Sequence, residues 1–114
     1  MTIHERLMPN VTLLELKGRI TLTDGSDFLR DTLQRLIDQG RTNVVLDFQD
    51  VPYIDSTAMA VVIRMHATFS GKGGRLSLLR VRGHVRELLT ITHLSSVFEI
   101  FDSEAEAVAG FPPG

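Results

Sequence analysis

The chain has no cysteine and no tryptophan among its 114 residues, and only one tyrosine. Without cysteine there are no disulfides, no thiolate nucleophile and no thiolate metal ligand, which fits a reducing compartment. Long apolar runs are missing too. The longest, Ala58 to Ile63, is far short of the roughly 20 residues that span a bilayer. Neither sign of charge dominates: 12 basic against 14 acidic residues leave a formal charge of -2, which gives no reason to expect nucleic acid or an acidic membrane as partner. The first residues, Met1 to Arg6, lack the apolar core of a signal peptide. What is present is ordinary for a soluble globular protein, with 43% hydrophobic and 23% charged residues. The expectation is a single cytoplasmic domain over residues 1–114, able to bury one core without staples.

Apolar spacing supplies the architecture. Thr2 to Leu7 is a strand pattern, Met8-Pro9-Asn10 a turn, and Val11 to Ile20 a second strand, which together suggest a hairpin. Thr23 to Asp27 offers capping residues and acidic charge for a helix whose apolar positions are Leu29, Leu33, Leu36 and Ile37, ended by Gly40. Asn43 to Phe48 is nearly continuous apolar sequence, the signature of a strand buried on both faces. Ser56 to Phe69 carries a helical stripe of Met59, Val62, Ile63, His66 and Phe69, and Gly71-Lys72-Gly73-Gly74 stops it. Arg75 to Leu79 is a fourth strand, Val85, Leu88 and Leu89 mark a third helix, and Val97 to Phe101 is a fifth strand. Ser103 caps a last helix to Ala109, before a frayed tail of Phe111-Pro112-Pro113-Gly114. The order is ββαβαβαβα, an α/β fold with a mixed β-sheet and packed α-helices.

Candidates for chemistry are few. The four histidines, His4, His66, His84 and His93, have no metal-ligand spacing. Gly71 to Gly74 lacks the spacing of a phosphate loop and follows a helix instead of preceding one. Asp47, Asp50 and Asp55 fall near strand ends, where loop solvation and capping account for them. The seam Tyr53-Ile54-Asp55-Ser56-Thr57, where a strand pattern gives way to a helix pattern, stands out. A serine at a helix start either caps free backbone N–H groups or carries a phosphate, which adds up to about two negative charges. Ser56 lacks the flanking glycines of a hydrolase nucleophile elbow, and no histidine is placed beside it. A small enzyme or nucleotide-binding protein using Asp55 and Ser56 has only the strand-to-helix junction in its favour. No catalytic residue and no cofactor is expected.

The seam in its context resembles the STAS domain of bacterial anti-sigma factor antagonists. The resemblance rests on Gly18-Arg19-Ile20, the strand Val44 to Phe48, the Gly73-Gly74 turn, Arg86-Glu87-Leu88-Leu89 and the segment Val97 to Phe101. The family signature, an apolar residue followed by Asp-Ser-[Ser/Thr]-Gly-Leu-Gly, stands here as Ile54-Asp55-Ser56-Thr57-Ala58-Met59-Ala60. The resemblance implies a module that binds an anti-sigma factor, itself a serine kinase, until that kinase phosphorylates Ser56; a protein phosphatase then resets it. By the same analogy Thr21, Asp24, Asp55, Thr57, Ala58 and Met59 face the partner. Two departures alter that surface: Ala58 and Ala60 stand where glycines are usual, and Thr21 where an aspartate is common. They bring in an alternative, a constitutive STAS scaffold in a signalling assembly or beside a transporter.

Overall fold

A computed structural model describes residues 1–112. Strands β1 (Thr2–Leu7) and β2 (Thr12–Lys17) form the expected antiparallel hairpin, with Thr2 opposite Lys17 and Leu7 opposite Thr12. Three parallel strands continue the sheet: β3 (Asn43–Asp50), β4 (Arg75–Leu79) and β5 (Ile100–Phe101), in the spatial order β1-β2-β3-β4-β5. Helices α1 (Ser26–Asp38), α2 (Ser56–Gly71) and α3 (Gly83–Ile91) cross from each parallel strand to the next. Because the sheet advances in one direction and such crossovers share one hand, all three helices fall on the same face. The last helix, α4 (Glu104–Ala109), packs on the other.

The alternation of side chains along each strand divides the core in two. Leu14, Leu16, Val44, Leu46, Phe48, Leu76 and Leu78 point to α1–α3 and meet Leu29, Leu33, Leu36, Val62, Phe69 and Leu89 there. Val11, Leu13, Val45 and Leu79 point the opposite way, onto Ala107 of α4 and Phe111. The near-continuous apolar run of β3 follows from this double burial.

Several boundaries differ from the sequence reading. The second strand ends at Lys17, because Gly18 adopts a left-handed φ of +97° and turns the chain out of the ladder. Ile20 rejoins as an isolated bridge to Ile54. The start of α1 is not side-chain capped: Gly25, also left-handed, occupies the cap position, and only its carbonyl engages, accepting from the Leu29 N–H at 2.8 Å. On α2 the buried residues are Ala58, Met59, Val61, Val62, Met65 and Phe69, with Ile63 and His66 only partly covered. The expected fifth strand from Val97 shrinks to Ile100–Phe101. His93 turns left-handed at φ +59°, a 3-10 turn at Leu94–Ser96 follows, and Phe98 is drawn into the core against the edge of His66. The last helix has its expected cap, with Ser103 Oγ accepting from the Glu106 N–H at 3.2 Å. The tail is not frayed at Phe111, which is buried under the Arg75 guanidinium at 4.6 Å from the ring centre. Pro113 and Gly114 lie outside the described residues.

The turn from α2 into β4 brings Gly74 against the backbone of Thr42, and a Cβ at position 74 would overlap the Thr42 carbonyl. The Arg75 N–H donates to that same carbonyl at 2.8 Å, which fixes the start of the β3–β4 pairing. Gly74→Ala should therefore lower unfolding free energy by about 1–3 kcal/mol in urea titrations. A neutral Gly74→Ala would show that the turn yields freely.

Candidate functional site

The parallel strands β2, β3 and β4 all end at one edge of the sheet, and the chain continues past each of them before turning into a helix. The extensions beyond β2 and β3 stay hydrogen-bonded to each other, with the register slipped by one residue between Gly18 and Ile20. Gly18 donates to the Asp50 carbonyl (3.0 Å), Ile20 to the Tyr53 carbonyl (3.0 Å), and Asp55 back to the Ile20 carbonyl (3.1 Å). This short ladder sets the Asp55-Ser56 seam beside the loop that runs from Thr21 to Gly25.

Asp55 is the N-cap of α2. Its Oδ1 accepts from the Ala58 N–H at 2.8 Å, and its Oδ2 reaches across to the Leu22 N–H at 2.9 Å. One carboxylate thus closes a helix end and holds a neighbouring loop. The Ala58 N–H, then the Leu22 N–H, hold the carboxyl below the usual aspartate range, against a smaller opposing effect of burial; the Thr57 N–H adds to the lowering. Ser56 is the first helical residue, and its side chain is exposed. The capping alternative for Ser56 is corrected accordingly: Asp55 does that work, and the serine hydroxyl is left at the surface.

The other expected partner-facing residues separate. Thr57 is exposed beside Ser56. Ala58 and Met59 are 0% and 3% exposed, because this side of the helix lies on the core. Their expected place on a docking surface is therefore corrected: the Ala58 methyl points inward, and Ala60 is only partly buried. Thr21 organises the loop. Its N–H donates to the Asp24 carbonyl at 2.8 Å, its own carbonyl accepts from Asp24 (3.2 Å) and Ser26 (3.2 Å), and its hydroxyl also accepts from the Asp24 N–H (3.2 Å). Asp24 is exposed and accepts from the Met1 amino group at 3.1 Å.

Residues outside the expected partner-facing set complete the edge. Leu22 and Phe28 hold large apolar side chains in solvent, 61% and 51% exposed. An apolar residue inside the polar loop Thr21-Leu22-Thr23-Asp24 was the available signal for the first of them. Tyr53 has the Arg19 guanidinium 4.8 Å from its ring centre and the His84 imidazole stacked at 4.5 Å and 19°. His84 Nε2 lies 3.2 Å from the Ile54 carbonyl, tying the start of α3 to the seam.

The three aspartates do not cluster. Asp50 is exposed at the end of β3. Asp47 is buried on the α4 face, where its Oδ1 accepts from the Gln49 N–H (3.0 Å) and its Oδ2 from Arg80 (3.3 Å). Burial pushes its carboxyl upward, with the Gln49 N–H and the Arg80 charge pulling against it. Arg80 reaches this position from a left-handed backbone, φ +55°, a conformation that costs a non-glycine residue about 1–2 kcal/mol.

A depressed native carboxyl contributes stability that is present above its unfolded value, near about 3.9, and lost as pH falls through the native value. Asp55→Asn keeps a capping side chain but removes its charge, and should therefore destabilise the chain near neutrality. The gap between wild type and variant should close as the pH of the denaturation series is taken below about 4. A gap that does not change with pH would mean that the charge of Asp55 is immaterial.

Residues 4–107 match the family model of the STAS domain. A Thermotoga neapolitana protein named as a candidate anti-sigma factor antagonist is 23% identical over 103 residues, 90% of this chain and 91% of its own length. The Bordetella bronchiseptica protein BtrV, named in the same way, is 32% identical over 83 residues, 73% of this chain and 72% of its own length. Among solved structures, the crystal structure of a candidate anti-sigma factor antagonist from Thermotoga maritima superposes with a TM-score of 0.88 at 20% identity, covering 95% of this chain and 92% of its own. The Bacillus cell fate determinant SpoIIAA in its phosphorylated form gives 0.76 at 18% identity, covering 95% and 97%. With residues 4–107 under one family model, the chain belongs to the STAS domain family.

Proposed function

We propose that the chain is an anti-sigma factor antagonist controlled by phosphorylation of Ser56. In this reading the unmodified protein binds an anti-sigma factor that is also its serine kinase, freeing a sigma factor for transcription. Phosphorylation ends the binding, and a phosphatase restores it. The observation that carries the reading is the division of labour at the seam: Asp55 caps α2, so Ser56 is exposed and unneeded for the fold. The names of the relatives supply the partner class.

The electrostatics suit a reversible mark. A phosphate on the first residue of α2 meets the positive end of the helix dipole, so the fold tolerates it. The same group adds bulk and charge next to exposed Thr57 and Leu22, where a partner would have to approach closely. Burial of Ala58 bears on the alternative of a constitutive scaffold. Its extra methyl group lies in the core and does not obstruct this surface, which favours retention of the switch.

The test joins a pull-down from the native cell with a kinase assay on the protein recovered. The recovered kinase should phosphorylate wild type and Thr57→Ala but not Ser56→Ala. Ser56→Asp should bind it at least about tenfold more weakly, equivalent to about 1.4 kcal/mol. Phosphate mapped by mass spectrometry to another residue, with Ser56 untouched, would sink the proposal.

A further inference from the structure

Strand β1 heads the sheet, and among the described residues β2 is its only strand neighbour. The Met8 N–H donates to the Val11 carbonyl at 2.9 Å where the hairpin turns. Antiparallel pairs alternate between those that exchange hydrogen bonds and those that do not. Counting back from Met8 and Val11, the bonded pairs are Arg6 with Leu13, His4 with Glu15 and Thr2 with Lys17. The N–H and C=O groups of Ile3, Glu5 and Leu7 therefore point away from β2, along the outer edge. Proteins usually blunt such an edge with lysine, proline or a bulge. β1 has none of these: it reads Thr2-Ile3-His4-Glu5-Arg6-Leu7, and its pairing with β2 runs without a shift. Its two fixed charges are engaged inside the chain, Glu5 with Arg35 of α1 and Arg6 with Glu104 of α4. The opposite edge of the sheet, β5, is only 2 residues long.

The outward groups are self-complementary. Turned about a twofold axis through Glu5, perpendicular to the sheet, a second β1 sets Glu5 opposite Glu5 and Ile3 opposite Leu7 on either side. Each of these pairs exchanges both of its N–H···O bonds, and no other antiparallel register engages Ile3, Glu5 and Leu7 together. The side chains suit the same register. Ile3, Glu5 and Leu7 share the face of α1–α3, where Ile3 is partly buried against the core and Leu7 is 66% exposed. Ile3 of one copy covers Leu7 of the other at both ends. Between them each Glu5 brings its own Arg35, whose guanidinium lies 2.6 Å from the carboxylate, so the charges at the axis sum to zero. On the other face His4 meets Arg6, whose charge Glu104 already neutralises.

We infer that β1 docks edge to edge on β1 of a second copy of this chain, antiparallel and centred on Glu5, joining two 5-stranded sheets into one. The inference does not rest on the reading of Ser56, and it concerns a surface that reading does not use. The contact is a strand edge, well below the roughly 1,600 Å² of a standard interface, so the dimer forms and dissociates with concentration. The axis reverses the strand direction between the copies. The carboxyl ends of β2, β3 and β4, and with them the two seams, fall at opposite ends of the dimer. Both seams stay open, which makes the dimer a module with two sites.

The test begins with the unaltered chain. Amide exchange followed by NMR should slow at Ile3, Glu5 and Leu7 as the solution is concentrated, while His4 and Arg6, already bonded to β2, change little. The chain has no cysteine, so an introduced one is the sole thiol. Glu5→Cys should give a disulfide-linked dimer on oxidation with diamide, since the Cα atoms of a hydrogen-bonded pair lie about 5.5 Å apart, within disulfide range. Leu7→Cys should not, because its two copies lie about 14 Å apart along the strands. Leu7→Lys should weaken self-association in sedimentation equilibrium at least about tenfold. Ile91→Lys, on the exposed side of α3, should leave it unchanged. All three positions are exposed, and thermal melts check that each variant is folded. A monomer at every concentration, exchange at Ile3, Glu5 and Leu7 that ignores concentration, or a dimer linked through Leu7→Cys in place of Glu5→Cys would overturn the inference. So would association that Ile91→Lys abolishes and Leu7→Lys spares.

Discussion

The functional edge of this protein depends on one carboxylate. Asp55 accepts from Ala58 in its own helix and from Leu22 in a loop that the sequence places 33 residues earlier. A side chain that only capped α2 would leave the loop from Thr21 to Gly25 held by its own turns alone. A side chain that only held the loop would leave the first turn of α2 with a free N–H. Doing both, it turns the strand-to-helix junction and the neighbouring loop into one surface. It also releases Ser56 from structural duty.

Much of the fold was legible because it rests on periodicity. β1 and β4 run over the residues that alternation suggests, and β3 shows its double burial as a continuous apolar run. The misjudged places are those where backbone conformation overrides side-chain pattern. Gly18, Gly25 and His93 all take left-handed φ values, and each ends or reshapes an element there. Phe98 has the composition of a strand residue, yet burial against His66 draws it out of the ladder. Phe111, next to three residues typical of tails, is buried because Arg75 and the α4 face supply a site for it. Such pairings between distant segments leave no local trace.

The seam was legible as a motif but not as a surface. Asp55, Ser56 and Thr57 stand in sequence order, and their separate tasks follow from the rotation of one helix: cap, exposed hydroxyl, exposed neighbour. The same rotation buries Ala58 and Met59, which the linear motif sets beside the serine as equals. Arg19 and Tyr53 come from two strand extensions and His84 from the first turn of α3, so only the parallel sheet order brings them together. The sheet also keeps its two faces apart. The buried Asp47–Arg80 pair and α4 sit on one, while the crossover helices whose N-termini frame the seam sit on the other.

The tie from Asp55 to Leu22 has a consequence for the speed and cost of recognition. A loop held by a side-chain anchor and by the turns around Thr21 has already given up much of its conformational freedom before any partner arrives. Ordering such a loop on association would otherwise draw on the interaction energy of the complex. Here that ordering is done during folding. The surface therefore enters any association largely as a rigid body.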